Sequence, residues 1–65
     1  MQVFNVKGMT CGHCVRAVTK AIRNEDPSAD VEVDLEKGEV KVQSQLAAEH
    51  IIGLIREEGY SAQAA

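Results

Sequence analysis

The stretch Asp30-Val31-Glu32-Val33-Asp34-Leu35-Glu36-Lys37-Gly38-Glu39-Val40-Lys41-Val42-Gln43 decides the fold. Val31, Val33 and Leu35 alternate with Asp30, Glu32 and Asp34. After Glu36-Lys37-Gly38 the alternation resumes, with Val40 and Val42 against Glu39, Lys41 and Gln43. A period of two places the apolar side chains on one face of a pleated strand and the charges on the other. Gly38 suits the positive φ that a tight hairpin requires. The stretch therefore predicts two antiparallel, half-buried strands joined by a turn at Gly38.

On either side of this hairpin the period becomes helical. Val15, Val18 and Ile22 fall at i, i+3 and i+7, one stripe of a helix, and Arg16, Lys20 and Arg23 form a second stripe. Asn24-Glu25-Asp26-Pro27-Ser28 ends that helix, because proline disfavours helical geometry in the residue before it. From Leu46 to Glu58 a second helix is expected, with Ala47, Ile51, Leu54 and Ile55 on one face, Ser44 as N-cap and Gly59 as stop signal. At the ends, Gln2 to Val6 read as a strand with Phe4 and Val6 inward, and Tyr60 to Ala64 as a short edge strand. The order is βαββαβ, and each helix has a single apolar face. The economical packing is an α+β, ferredoxin-like sandwich: a four-stranded antiparallel sheet with both helices on one face.

Sixty-five residues, 45% of them hydrophobic and 26% charged, suffice for one domain, residues 1–65, since a chain of this size buries only about 60% of its unfolded surface. The net charge of −3 excludes the basic footprint that nucleic acid demands. Phe4 and Tyr60 are the only aromatics, so no base-stacking platform remains on the sheet. The charge is also split: residues 1–24 carry Lys7, Arg16, Lys20 and Arg23 and no acid, whereas all ten acids follow from Glu25 onward. No apolar run approaches the roughly 18 residues of a membrane span, so direct membrane insertion is not expected. The N-terminus shows no basic leader or cleavage site, so a cytoplasmic home is expected, and the start at Met1 directly before the first strand favours a complete chain.

Chemistry concentrates in Gly8-Met9-Thr10-Cys11-Gly12-His13-Cys14-Val15, where the first strand hands over to the first helix. Two cysteines three positions apart close only a trivial loop, so their use is chemical rather than structural. At a helix N-terminus, beside Lys7 and Arg16, both thiols are expected on an exposed loop and shifted toward thiolate. Structural Zn(II) wants four closed ligands, and the chain offers two cysteines and at most a neighbouring histidine. Cu(I) is satisfied by two or three sulfurs and is selected by thiolate, which makes Cu(I) on Cys11 and Cys14 the expected cargo. Hg(II) also accepts two thiolates in a line, and ligand chemistry alone does not separate the two. A small thiol-disulfide redox protein is the alternative of another class; it normally needs a longer chain. Met9 is expected as core filler rather than a thioether ligand, and His13 in solvent, with a third coordination position open to it. The basic stripe begins at the site, which points to partner docking through Lys7, Arg16, Lys20 and Arg23.

Gly8-Met9-Thr10-Cys11-Gly12-His13-Cys14, with the element order and the late Glu58-Gly59-Tyr60, resembles the heavy-metal-associated domain family. In length the chain looks like its bacterial cytosolic copper chaperones. The resemblance covers essentially the whole chain. It implies a metallochaperone rather than an enzyme, delivering Cu(I) to the metal-binding domain of a copper-transporting P-type ATPase by thiolate exchange. It also implies docking by complementary charge, Met9 packed under the loop, and Tyr60 approaching the site from the far end of the fold. Zinc- and cadmium-handling relatives often carry Asp immediately before the first cysteine, where this chain has Thr10, so copper is favoured. The expected state is a monomer without metal, with a copper-bridged homodimer open to it. A metal-binding domain excised from a P-type ATPase, or a mercuric-ion binding protein, is the alternative within the same chemistry.

Overall fold

In the computed structural model, which describes residues 1–9 and 12–65, the chain runs β1 (Gln2–Lys7), α1 (Gly12–Glu25), β2 (Asp30–Asp34), β3 (Glu39–Gln43), α2 (Ala48–Glu57) and β4 (Ser61–Ala64). The strands form one antiparallel sheet in the order β2-β3-β1-β4. This is the expected ferredoxin-like βαββαβ sandwich. β1 and β2 run the same way with β3 between them, so α1 crosses over the sheet to connect them, and α2 does the same between β3 and β4.

The alternation anticipated in the strands fills the core. Phe4 and Val6 of β1, Val40 and Val42 of β3 and Ala62 of β4 face the helices, where Val18, Ile22, Ile51 and Ile55 meet them; none exceeds 3% exposure. Burying each of the larger side chains contributes about 1.5–3 kcal/mol. Three local expectations are corrected. The buried stripe of α1 is Cys14, Val18 and Ile22, spaced four apart, and Val15 is only half-buried at its margin. In α2 it is Ile52 rather than Leu54 that packs beside Ile51 and Ile55. Leu35 lies beyond the end of β2, in the turn, and is 38% exposed.

Ser44 does not cap α2; Ala47 holds the N-cap position with no side-chain hydrogen bond. Instead the Ser44 hydroxyl accepts from the Leu46 N–H (3.0 Å) and donates to Asp26 Oδ2 (2.6 Å). Gln45 N–H also donates to Oδ2 (3.4 Å), while the Ser28 N–H and hydroxyl both donate to Oδ1 (3.2 and 2.8 Å). One carboxylate thus joins the turn after α1 to the connection before α2. The hydrogen bonds from Ser44 and then Ser28 hold the Asp26 carboxyl below its ordinary value of 3.8, against a smaller opposing effect of burial. A carboxylate whose folded pKa is depressed contributes stability above its unfolded pKa and loses it as pH falls through the folded value. The stability difference between wild type and Asp26→Asn, measured by denaturant unfolding, is therefore expected to be constant near neutrality and to shrink below about pH 4. A difference unchanged into strong acid would refute the role of the clasp.

Candidate metal centre

Strand pairing gathers three turns at one end of the sheet. Lys7 at the end of β1 is opposite Ser61 at the start of β4, and Asn5 is opposite Glu39 at the start of β3. The segment entering α1, the turn 35–38 and the Gly59-Tyr60 turn therefore share that end. Val6 N–H donates to the Gly38 carbonyl at 2.7 Å, tying the hairpin turn to β1. Gly38 has φ +66°, and a Cβ there would stand 3.0 Å from the Val6 carbonyl oxygen, so a side chain would strain both backbone and tie. Gly8 has φ +99°, and its missing Cβ would lie 3.4 Å from Cδ1 of Tyr60. The Tyr60 ring, half-buried against the core, thus borders the start of the loop.

Cys14 is the third residue of α1 and 8% exposed. The expectation of an exposed loop thiol is corrected here: this sulfur belongs to the first turn of the helix and to the core edge. The first turn contains no acidic residue, so the partial positive charge of the helix N-terminus is uncompensated and favours negative charge on the sulfur. Met9 is likewise 8% exposed and joins the same buried cluster. Thr10 and Cys11, the other residues singled out here, lie outside the described residues. His13 is exposed at the second position of α1.

Arg16, Lys20 and Arg23 are all exposed and line one groove on the outer face of α1, together with Val15 and Thr19. Lys7 is exposed but lines a different groove, beside Leu35, Glu36 and Lys37. The structure therefore brings together three of the four cations expected at a docking face. His50 is exposed on α2 and its Nε2 lies 3.1 Å from Oε1 of Glu25 at the end of α1. Sequence reasoning missed the structural half of Cys14, although its spacing of four and eight from Val18 and Ile22 carried the signal. It also missed Gly38's contact with β1, which only the tertiary pairing creates.

Among the described residues no three or more His, Cys, Asp or Glu side chains converge as a metal-holding group. No closed site of three or more such side chains is thus built from them, and the soft donors they place around the strand-to-helix junction are the Cys14 thiol and the Met9 thioether, both in the buried cluster.

The sequence model of the heavy-metal-associated domain matches residues 3–61, and the chain belongs to that family. The copper chaperone CopZ of Staphylococcus aureus (strain MRSA252) is 42% identical over 62 residues, covering 91% of each chain. Among solved structures, one described as the copper chaperone Atx1 from Synechocystis PCC6803 in a Cu2 form superposes with a TM-score of 0.93 at 35% identity, over 97% of this chain and 100% of that one. A protein described as a gold binding protein superposes equally well, TM-score 0.93 at 31% identity over the whole of both chains.

The burial of Met9 distinguishes core from ligand. Met9→Leu, close in volume, is expected to cost less than about 1.5 kcal/mol of stability and to leave affinity for a soft probe ion such as Cu(I) within about twofold, measured by chelator competition. A loss of tenfold or more with an unchanged melting curve would make Met9 a thioether ligand instead.

Proposed function

We propose that the chain is a cytoplasmic Cu(I) metallochaperone, and that its cargo is held by the thiolates of Cys11 and Cys14. The observation that carries this reading is the position of Cys14: a thiol at the uncompensated N-terminus of α1, in a chain 42% identical to a copper chaperone over nearly its whole length. Two sulfurs suit Cu(I), whose low coordination number leaves room for a third thiolate to approach. Transfer then proceeds by ligand exchange. A recipient thiol gives up its proton as it forms a new S–Cu bond, one bond to the carrier breaks, and the released thiolate takes up a proton; copper stays Cu(I) throughout. No catalytic turnover belongs to this reading. The recipient is the metal-binding domain of a copper-transporting P-type ATPase, met by a carrier that works as a monomer. Docking falls to Arg16, Lys20 and Arg23 on α1, with Lys7 a separate contact on the sheet side.

Anaerobic titration of the reduced chain with Cu(I), Zn(II) and Hg(II) against competing chelators tests the site. Tight binding of one Cu(I) with weak Zn(II) is expected. Cys14→Ser should lower Cu(I) affinity by more than about 100-fold, beyond the loss typical of an outer-shell change, with the circular dichroism spectrum retained. Tight Zn(II) with feeble Cu(I) would overturn the reading, and Hg(II) retained in preference to Cu(I) under the same competition would replace copper with mercury as cargo. Charge reversal at Arg16 and Lys20 is expected to slow transfer to an acidic recipient about tenfold or more at low ionic strength and to flatten its salt dependence, as for steered association. Unchanged transfer kinetics would remove the docking role.

A further inference from the structure

Away from the thiols, two metal-ligating side chains from different helices meet. His50, the third residue of α2, places Nε2 3.1 Å from Oε1 of Glu25, the last residue of α1. The two side chains are 48% and 47% exposed, so a hydrated ion reaches both donor atoms. Among the described residues neither makes another hydrogen bond. Their approach is built into the backbone. Asp26, the residue after Glu25, accepts from Ser44 and Gln45 just ahead of α2, and its own N–H donates to the Ile22 carbonyl at 3.0 Å. The clasp that fixes the end of α1 against the entry of α2 thereby fixes Glu25 against His50.

From this juxtaposition we infer that Glu25 and His50 form a second metal site, open to water, for a borderline divalent ion of the Zn(II) class. Zn(II) bonds imidazole nitrogen and carboxylate oxygen at about 2.0–2.2 Å. Two such ligands on one ion stand about 2.9 Å apart at a right angle and about 3.4 Å apart at the tetrahedral angle. The observed 3.1 Å lies between these values, so the ion enters without a change of backbone. In its absence a hydrogen bond spans the same gap, and its proton leaves Nε2 as the ion arrives. One nitrogen and one oxygen suit Zn(II), whereas Cu(I) is selected by sulfur. No third His, Cys, Asp or Glu among the described residues joins the pair, so water fills the remaining positions. Two protein ligands make a weak site, with a dissociation constant of about 0.1 mM. The helical rise sets Glu25 roughly 16 Å along α1 from Cys14, so the two sites share no ligand and fill independently. Occupied, the second site ties α1 to α2 at the end of the sandwich remote from Gly8 and Met9.

The test titrates the reduced full chain with Zn(II) at about pH 7.5, where free imidazole is largely neutral, and follows the ring resonances of His13 and His50 by NMR. The His50 ring is expected to shift saturably, with a dissociation constant of about 0.1 mM. Mg(II) at the same concentration should leave it in place, since a hard ion keeps its waters. His13 reports any Zn(II) taken by the thiols, so the two events separate within one titration. Glu25→Gln should weaken the His50 response about tenfold or more, with the circular dichroism spectrum and the His13 response unchanged. Glu49→Gln, beside His50 on the same helix, should leave it unaltered. Four results would each overturn the proposal: no saturable shift of His50 up to about 1 mM Zn(II), a shift that follows the His13 midpoint, an undiminished response in Glu25→Gln, which would reduce the site to a lone imidazole, or an equal loss in Glu49→Gln, which would reduce it to a diffuse negative field.

Discussion

Strand β1 is hydrogen-bonded along both of its edges, to β3 and to β4, and the position of everything else follows from that double pairing. Its inward side chains, Phe4 and Val6, carry the centre of the core, and on its other face Asn5 and Lys7 are exposed. Its last residue fixes where the chain leaves the sheet for Gly8 and Met9. Because the hairpin turn and the start of β4 are in register with that point, the loop is framed by turns on both sides. The Val6–Gly38 hydrogen bond adds a direct backbone tie between the frame and the strand. The opposite end is held differently, by the four donors on Asp26 and by Gln2 Nε2, which donates to the Leu46 carbonyl at 3.0 Å. Side-chain bonds clamp one end of the sandwich, and glycine-bearing turns shape the other.

Periodicity alone exposed the element order and the sheet with both helices on one face. Period-two alternation is a strong signal where only one face of a strand is buried, and Phe4, Val6, Val40 and Val42 obeyed it. The errors fell where side chains serve two purposes or where contacts are long-range. Cys14 combines a chemical side chain with a place in the buried Cys14-Val18-Ile22 stripe, and residue type alone points to Val15 for that place. Ser44 has the right residue type for a cap, but Asp26, eighteen positions away, takes its hydroxyl; no local rule anticipates that partner. Leu35 continued the alternation on paper, yet the chain turns immediately after Asp34 and leaves it exposed. The paired thiols read as a chemical unit because thiols at that spacing have few structural uses, and of the two only Cys14 lies among the described residues.

The division of charge along the chain becomes a division of surfaces in the fold. α1 carries Arg16, Lys20 and Arg23 on its outer face, while β2 and β3 carry Glu32, Asp34 and Glu39 beside it, with Lys41 among them. The half-buried Val15 sits at the boundary, one residue after the buried thiol of Cys14. Any protein surface that approaches the sulfur from this side therefore meets an oriented field, positive toward the helix and negative toward the sheet, before it meets the donor.

Tyr60 has one more consequence, which is optical. The chain has one tyrosine and no tryptophan, and that single ring lies against Gly8 at the mouth of the loop. Aromatic emission excited above the phenylalanine band, and the tyrosine fine structure of near-ultraviolet dichroism, therefore originate from one place in the molecule. For this protein the native chromophore is a label already installed beside the strand-to-helix junction, and its spectrum reports that end of the fold without contribution from the rest.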